Sequence, residues 1–209
     1  KGSNMTRSNM TTGIDVSEHN GEIDWKRIAE EGIRFAIIRA GYGSAYLDSR
    51  FYENVNGAHD AGLKLGIYHF GYARTEGELD VEKDFLLSIL KDCGLTPNLL
   101  PIGVFWDVEE DSYRGRAFPR PEVINRMCHA FCEGTAEEGY RAGIYASASW
   151  LSSHIRVAEF RKHTIWAAQW WKECMVKEAV IWQFTDHLEI AGRLFDGNYL
   201  LEKDYGDER

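Results

Sequence analysis

A short pattern that occurs three times constrains the fold of this chain more than any other feature. In residues 32–40, 62–70 and 139–146, a glycine follows a polar helical end and precedes a basic residue and an apolar run. A glycine just past a helix end takes the left-handed conformation that caps the helix. The apolar runs are too short and too apolar for strands with one wet face, which indicates strands buried on both sides. The repeat is therefore a helix, a tight turn and a buried strand.

The rest of the chain extends this pattern into a barrel. Further strands are predicted at 12–16, 101–108, 164–169, 179–184 and 193–196. Helices are predicted at 24–31, 50–61, 76–93 and 121–138, with a weaker one at 157–162. Asp24 and Thr75 suit N-cap positions, and Pro121 suits a first turn. Because the strands after residue 163 leave no room for full helices, we expect an α/β fold, a closed TIM-like (β/α) barrel without its last helices.

The same pattern predicts one domain. We expect residues 12–209 to form a single barrel domain, because no linker or low-complexity tract interrupts them. Residues 1–11 are polar and contain no apolar signal core, so we interpret them as a disordered lead or an expression remnant.

Composition argues against several classes of protein. The formal net charge is −9 and no run of lysine or arginine occurs, which argues against a nucleic-acid partner. No stretch of about 18 apolar residues is present, so no membrane span is predicted. The four cysteines are Cys93, Cys128, Cys132 and Cys174, and no two of them form a CxxC pair. Free thiols acting as small core residues are therefore favoured over a zinc site or a disulfide framework.

The segment Ile-Gly-Val-Phe-Trp-Asp-Val-Glu-Glu (102–110) is an apolar strand that ends in acids. Side chains alternate along a strand, so Asp107 and Glu109 point to the same side, with Cα atoms about 6–7 Å apart. Acids at the carboxyl end of a barrel strand lie where active sites form. Two acids this close should hold one of them protonated, as a general acid requires. A single acid would simply mark the end of the strand, but the pair favours a catalytic function.

A second pair of acids lies on the first and last predicted strands. Asp15 ends the first strand and Asp196 ends the last. These two strands are neighbours in a closed barrel, so the two acids can meet across the closure. Each taken singly fits a turn or cap residue equally well, but with Asp107 and Glu109 they would form an acidic cluster at one mouth.

Aromatic side chains are abundant, at 13% of the chain. Tyr42, Tyr68, Phe70, Tyr145 and Trp166 lie on or just after predicted strands. Each alone fits core packing, but as a set they suit a groove in which sugar rings stack. We assign Gln183 to the same substrate-binding group.

These motifs resemble family 25 of the glycoside hydrolases, the Chalaropsis-type lysozymes. The resemblance is carried by Gly-Ile-Asp-Val-Ser-Glu-His-Asn-Gly-Glu-Ile-Asp-Trp (13–25), Phe-Trp-Asp-Val-Glu (105–109) and Ile-Trp-Ala-Ala-Gln (165–169). Further segments match in order up to about residue 200. The resemblance implies a (β/α)5β3 barrel that cleaves the β-1,4 bond between N-acetylmuramic acid and N-acetylglucosamine. We further expect a monomer that acts on peptidoglycan outside the cell or in the wall, without a cofactor, a nucleic-acid partner or a membrane.

The resemblance also assigns roles to the acids. Glu109 matches the proton-donating glutamate, and Asp107 matches the acid that orients the 2-acetamido group of the substrate. Asp15 and Asp196 match the remaining acids of the site. The segment Asp-Gly-Asn-Tyr-Leu (196–200) departs from the apolar residue that follows the aspartate in the family pattern. The loop at 111–120 has no counterpart in that pattern.

Several readings of the chemistry stay open from the residues alone. Asp107 and Glu109 share a strand, so we expect attack by the acetamido oxygen of the substrate, although inversion by water activated at Asp196 or Asp15 is also compatible. A non-catalytic wall-binding module does not need the paired acids. A metal-dependent hydrolase would use the four acids with His69 as ligands. A chitinase-like enzyme would carry further aspartates at 103–105, where this chain has Gly103, Val104 and Phe105.

Overall fold

The computed structural model describes residues 10–202 and 205–206. The predicted lead at 1–11 therefore falls largely outside the described residues, and Thr11 already belongs to the first strand. The strands are β1 Thr11–Val16, β2 Phe35–Tyr42, β3 Tyr46–Leu47, β4 Lys64–Phe70, β5 Gly103–Asp107, β6 Ala142–Ser147, β7 Thr164–Ala168, β8 Ala179–Ile190 and β9 Arg193–Leu200.

Eight of these strands form a closed barrel. The order β1-β9-β8-β7-β6-β5-β4-β2 returns to its start because β1 also pairs with β2. The strands from β1 to β8 run parallel around the ring, whereas β9 is antiparallel to both β8 and β1. The short β3 lies outside the ring as a hairpin partner of β2. The predicted closed barrel is confirmed.

Five helices cover the outside of the barrel. They are α1 Trp25–Glu30, α2 Phe51–Asp60, α3 Glu76–Asp92, α4 Pro121–Glu137 and α5 Ala148–Ser153. Each follows one of the first five parallel strands of the ring, and the last three strands have no α-helix between them. This arrangement confirms the expected (β/α)5β3 barrel.

Local sequence explains where most helices begin and end. The Asp24 side chain accepts a hydrogen bond from Arg27 N, and that of Thr75 from Glu78 N, so both cap their helices as predicted. Gly32, Gly62 and Gly139, which follow α1, α2 and α4, have φ values of +94°, +79° and +89°. The three glycines thus take the left-handed conformation that the repeated pattern requires.

Four local predictions were wrong. The strand expected at 179–184 continues to Ile190 as β8. The helix expected at 157–162 is a single 3-10 turn, Val157–Phe160. The short helix α5 was not predicted, because its six residues are too few to show an apolar period; it begins where Ser147 Oγ accepts a hydrogen bond from Trp150 N. The last strand does not end at Asp196 but continues to Leu200, because it returns antiparallel along β1 and β8.

Two apolar regions hold the fold together. The larger one lies between the barrel and its helices, and the smaller one fills the interior of the barrel. Phe35 and Phe105 belong to the interior cluster, and a Cβ added at Gly13 would lie 2.5 Å from the Phe35 ring, while one at Gly143 would lie 2.8 Å from the Phe105 ring. These glycines therefore make room for aromatic side chains that close the lower part of the barrel.

The cysteines behave as small core residues. Cys93, Cys128, Cys132 and Cys174 are free thiols, and the two on α4 are buried. Among the described residues, no three side chains of the His, Cys, Asp and Glu types are arranged to hold a metal ion. No helix within the described part of the chain is long and apolar enough to cross a membrane.

Candidate active site

A cavity of about 300 Å³ opens at the carboxyl ends of the parallel strands. Nine of the ten residues predicted for the site line it: Asp15, Tyr68, Phe70, Asp107, Glu109, Tyr145, Trp166, Gln183 and Asp196. Strand alternation explains the convergence, since every second residue of a barrel strand points inward. Phe35 and Phe105 fill the lower part of the barrel interior, so the inward side chains nearest the mouth form the walls of the cavity. We call this space the acid cavity.

Tyr42 is the exception. Ile37 and Arg39 point into the barrel, but β2 has a bulge between Arg39 and Gly41, after which Tyr42 pairs with Phe70. Tyr42 lines a neighbouring space of about 610 Å³. There its ring stacks on Tyr46 with centroids 4.1 Å apart and meets the edge of Tyr72 at 5.7 Å. We call these three rings the tyrosine groove.

Asp107 and Glu109 lie together at the end of β5. Asp107 is the last residue of the strand, and Glu109 keeps an extended backbone with φ −136°. The Ser112 side chain fixes this conformation, since its Oγ accepts a hydrogen bond from Glu109 N at 2.9 Å. The two carboxyl groups hydrogen-bond to each other. Asp107 Oδ1 is buried and has no hydrogen-bond partner among the described residues, so its capacity to accept a hydrogen bond is unused.

The environment keeps one proton on this pair. Burial raises the pKa of Asp107 well above its ordinary range, and the nearby charge of Glu109 raises it further. Burial also raises the pKa of Glu109, although its hydrogen bond with Asp107 acts in the opposite direction. The bond between two carboxyl groups needs a proton, so the pair titrates as a unit that holds one proton.

Asp15 and Asp196 form the second acid pair. They are directly opposite in the register of β1 and β9. Asp15 Oδ2 accepts hydrogen bonds from Gln183 Nε2 at 2.9 Å and from Asn198 Nδ2 at 2.7 Å. Burial nevertheless raises the pKa of Asp15, and the charge of Asp196 adds to the rise. Burial raises the pKa of Asp196 to about 6.

Several polar residues of the site were not predicted: Ser17, His19 and Asn20 line the cavity, and Asn198 and Arg39 hold its charged groups by hydrogen bonds. Asn198 bridges the cavity wall, since it donates to Asp15 and its Oδ1 accepts a hydrogen bond from Trp166 Nε1 at 2.8 Å. Its position two residues after Asp196 on the same strand was a usable signal. Arg39 was also not predicted as a site residue. The signal that could have found it is that it is a charged residue within the apolar strand β2.

Arg39 is the buried cation of the cavity. Its Nε donates to Asp48 Oδ2 at 2.8 Å, and its Nη2 donates to Glu18 Oε1 at 3.1 Å. Hydrogen bonds from Ser49 lower the pKa of Glu18 to about 2, so Glu18 is ionised. The guanidinium is thus held by two carboxylates that follow β1 and β3, and its charge favours the ionised form of Asp107.

Trp166 lies deep in the site. Its ring contacts Phe105, Tyr68 and Tyr145 with centroids 5.4, 5.9 and 4.4 Å apart, and only 1% of the residue is exposed. It therefore forms the floor of the acid cavity, whereas Tyr68 and Phe70 are less buried and form part of its wall.

The geometry defines a class. A closed (β/α) barrel with acidic side chains at the carboxyl ends of its strands, above an aromatic floor, is an arrangement that fits enzymes acting on glycosidic bonds, which use pairs of carboxyl groups. The chain belongs to the glycosyl hydrolases family 25, whose family model matches residues 14–193.

Individual relatives agree with this membership. The chain is 45% identical over 58 residues to Lysozyme M1 of Streptomyces globisporus, a match that spans 28% of this chain and 20% of that protein. A family 25 glycosyl hydrolase from Bacillus anthracis has the same fold, with a TM-score of 0.79 and 19% identity over 97% of this chain and 95% of that one.

A third similar protein is the modular autolysin LytC of Streptococcus pneumoniae, solved in complex with a synthetic peptidoglycan ligand. The TM-score is 0.81 at 22% identity, and the match covers 93% of this chain and 47% of LytC. The matched regions thus cover a fifth of Lysozyme M1 and less than half of LytC.

Proposed function

We propose that this chain is a peptidoglycan hydrolase of the lysozyme type. It would cleave the β-1,4 bond between N-acetylmuramic acid and N-acetylglucosamine. Membership of family 25 and the similarity to Lysozyme M1 support the substrate class. The observation that carries the proposal is the hydrogen-bonded pair of Asp107 and Glu109 in the acid cavity. A pair that holds one proton supplies the general acid that an acetal oxygen needs.

In the proposed reaction, Glu109 donates its proton to the glycosidic oxygen as the bond from that oxygen to the anomeric carbon breaks. Asp107 accepts a hydrogen bond from the N–H of the 2-acetamido group, for which its Oδ1 is free. That bond favours the ionised form of Asp107 and therefore moves the shared proton towards Glu109. Substrate binding thus places the proton on the residue that must donate it.

The nucleophile in this proposal is the acetamido oxygen of the substrate, which bonds to the anomeric carbon as the glycosidic oxygen leaves with the proton of Glu109. Water then attacks the anomeric carbon and breaks that new bond, and Glu109 takes a proton from the water, which restores the acid and leaves a free reducing end. Asp107 and Glu109 leave the same strand on the same side, so Asp107 cannot attack from the face opposite the acid. A retaining enzyme with its own nucleophile needs the two carboxyl groups opposed across the bond. Asp107 would stabilise the positive charge that develops on the acetamido group. The anomeric configuration of the first product, followed by NMR, tests this: retention is expected, and inversion would instead implicate water activated at Asp15 or Asp196.

The remaining residues bind and position the glycan in this proposal. Tyr68, Phe70 and Tyr145 give the cavity walls that suit the flat faces of sugar rings. Gln183 accepts a hydrogen bond from Tyr145 at 3.0 Å and donates one to Asp15, so it fixes the position of Tyr145 relative to Asp15.

Mass spectrometry of fragments released from purified peptidoglycan tests the function directly. A muramidase leaves N-acetylmuramic acid at the reducing end. N-acetylglucosamine at the reducing end would contradict the proposal and favour a chitinase-like enzyme. Gly103, Val104 and Phe105, which are all buried in β5, disfavour a chitinase-like enzyme because no acid precedes Asp107 on its strand.

A wall-binding module and a metal-dependent hydrolase each have a direct test. A wall-binding module would bind cell walls without lowering the turbidity of a wall suspension, whereas we expect clearing. A metal-dependent hydrolase would lose activity in EDTA, whereas we expect unchanged clearing, because the proposed chemistry uses carboxyl groups and the substrate alone. We further propose that the chain acts as a monomer on peptidoglycan, outside the cell or in the wall.

A further inference from the structure

The loop after β7 presents two tryptophans to solvent. Trp170 and Trp171 are 57% and 66% exposed. Tryptophan is highly buried on average, so two adjacent exposed indoles need an explanation. Exposed apolar patches with a polar rim typically mark binding surfaces. We call this pair of rings the tryptophan platform.

Hydrogen bonds connect the platform to the acid cavity. Trp170 Nε1 donates to Gln183 Oε1 at 3.2 Å, and the same oxygen accepts a hydrogen bond from Tyr145. Gln183 Nε2 donates to Asp15 Oδ2 at 2.9 Å. A single side chain therefore separates the platform from the acids. A sugar chain that leaves the cavity towards β7 would meet Trp170 first, and Trp171 is the next residue of the same loop.

The backbone of the platform is held in place by Gln169. Its N–H donates to the carbonyl oxygen of Gln183 in β8 at 3.0 Å. Its own carbonyl oxygen accepts hydrogen bonds from Trp171 N at 2.9 Å and from Trp182 Nε1 at 2.7 Å, while its side chain accepts one from Met175 N. A loop fixed before binding loses little conformational entropy when a ligand binds.

The platform also lies across the mouth from the tyrosine groove. Tyr42 ends β2 and Trp170 follows β7, and these two strands are four places apart in the ring in either direction. The strands that carry the acids, β5 on one side and β1 with β9 on the other, lie between them. An extended chain that contacts both aromatic surfaces therefore crosses the acid cavity between the two acid pairs.

We propose that the tryptophan platform is a sugar-binding subsite outside the acid cavity. The faces of the two indoles would stack on the apolar faces of N-acetylated amino sugars in a glycan strand. This inference rests on the proposed function and deepens it. It implies that glycan length controls affinity, because a long strand reaches both the cavity and the platform and a short one fills the cavity alone.

The test measures binding by calorimetry in a Glu109→Gln background, which keeps the substrate intact. The long probe is a linear glycan strand freed of its peptides, and the short probe is a disaccharide of the same glycan. Adding Trp171→Ala should weaken binding of the long probe about tenfold, which is about 1.4 kcal/mol, and leave the short probe unaffected. Trp171→Phe should restore most of the affinity. Tyr52→Ala is the matched control, because Tyr52 is 52% exposed on α2 and contacts Cys93 instead of the mouth.

The possible results separate the two proposals. Unchanged affinity of the long probe after Trp171→Ala would overturn the platform and leave the proposed function standing. An equal loss for both probes would also overturn it, since that result would mean damage to the cavity. A dimer that dissociates on Trp171→Ala, with glycan binding intact, would identify the rings as a contact between copies of this chain. Failure of the unsubstituted protein to clear walls, and of the parent variant to bind either probe, would overturn the proposed function itself.

Discussion

Replacing Glu109 by Gln should lower activity and raise stability at the same time. The substitution keeps the shape of the side chain and the hydrogen bond from Glu109 N to Ser112, but removes the transferable proton. General acid catalysis contributes about 10²- to 10⁴-fold, so kcat for wall hydrolysis should fall by that factor, or about 3–5 kcal/mol of transition-state stabilisation. The affinity for glycan should change little, because the variant still fills the same place in the wall of the cavity.

The same variant should be more stable than the parent protein, and the gain in stability should depend on pH. Burial raises the pKa of Glu109 in the folded state above its unfolded value. The stability that depends on its proton is therefore fully present below the unfolded pKa and is lost as the pH rises through the folded pKa. Gln carries no charge, so the variant escapes that loss. We expect a gain of about 1 kcal/mol at pH 8, or about 2–4 °C in Tm, and little gain at pH 4.

The assays are clearing of a wall suspension and thermal unfolding followed by circular dichroism at pH 4 and pH 8. Glu110→Gln is the matched control, because Glu110 is the adjacent residue and is exposed. It should change neither property. A Glu109→Gln variant that keeps a tenth or more of the activity would refute its role as the acid. A variant that is inactive and also less stable at pH 8 would indicate that Glu109 holds the fold and that the reasoning about its buried charge is wrong.

Three further predictions follow from the surroundings of the cavity. Glu82 accepts hydrogen bonds from Trp106 and Tyr72, and burial raises its pKa to about 7 from an ordinary 4.5, so the folded protein should lose about 3 kcal/mol from this group as the pH rises from 4.5 to above 7. We expect the free energy of unfolding in urea to fall less between pH 5 and pH 8 for Glu82→Gln than for the parent protein. A difference between variant and parent that is the same at both pH values would contradict the assigned role of Glu82. Ser112→Ala should lower kcat about tenfold with KM unchanged, since it frees the backbone of the acid; a change in KM alone would refute the positioning role. Asn198→Ala removes a donor to Asp15 and should shift the acidic limb of the kcat/KM profile to higher pH, so an unmoved limb would argue against a charged Asp15 in the reaction.

Much of the barrel could be predicted because its signals are local. The glycines after α1, α2 and α4 and the apolar runs that follow them depend on backbone sterics and on burial from both sides, and both leave their mark in consecutive residues. Asp107 and Glu109 are two residues apart, and strand alternation therefore predicts that their side chains lie on the same side. The failures also have local causes: α5 is too short for its period to be visible, and β9 was cut short at Asp196 because nothing in its own residues shows its direction.

The surroundings of the acids could not be read from neighbours in sequence. Gln183 and Asn198 hydrogen-bond to Asp15 across 168 and 183 residues, and Arg39 finds its two carboxylates 9 and 21 residues away. The sequence also did not show the bulge between Arg39 and Gly41, so only the structure shows that the Tyr42 ring lies beside helix α3 and outside the acid cavity.

The sequence by itself determined the strands, the helix caps and the chemical types of the acids, because these depend on backbone conformation and on residue spacing. Only the tertiary structure decided which acids meet, which of them keep a proton and which aromatic rings face a ligand. The physical reason is that a pKa depends on desolvation and on nearby charges, and both are set by the closure of the barrel, which brings β9 against β1.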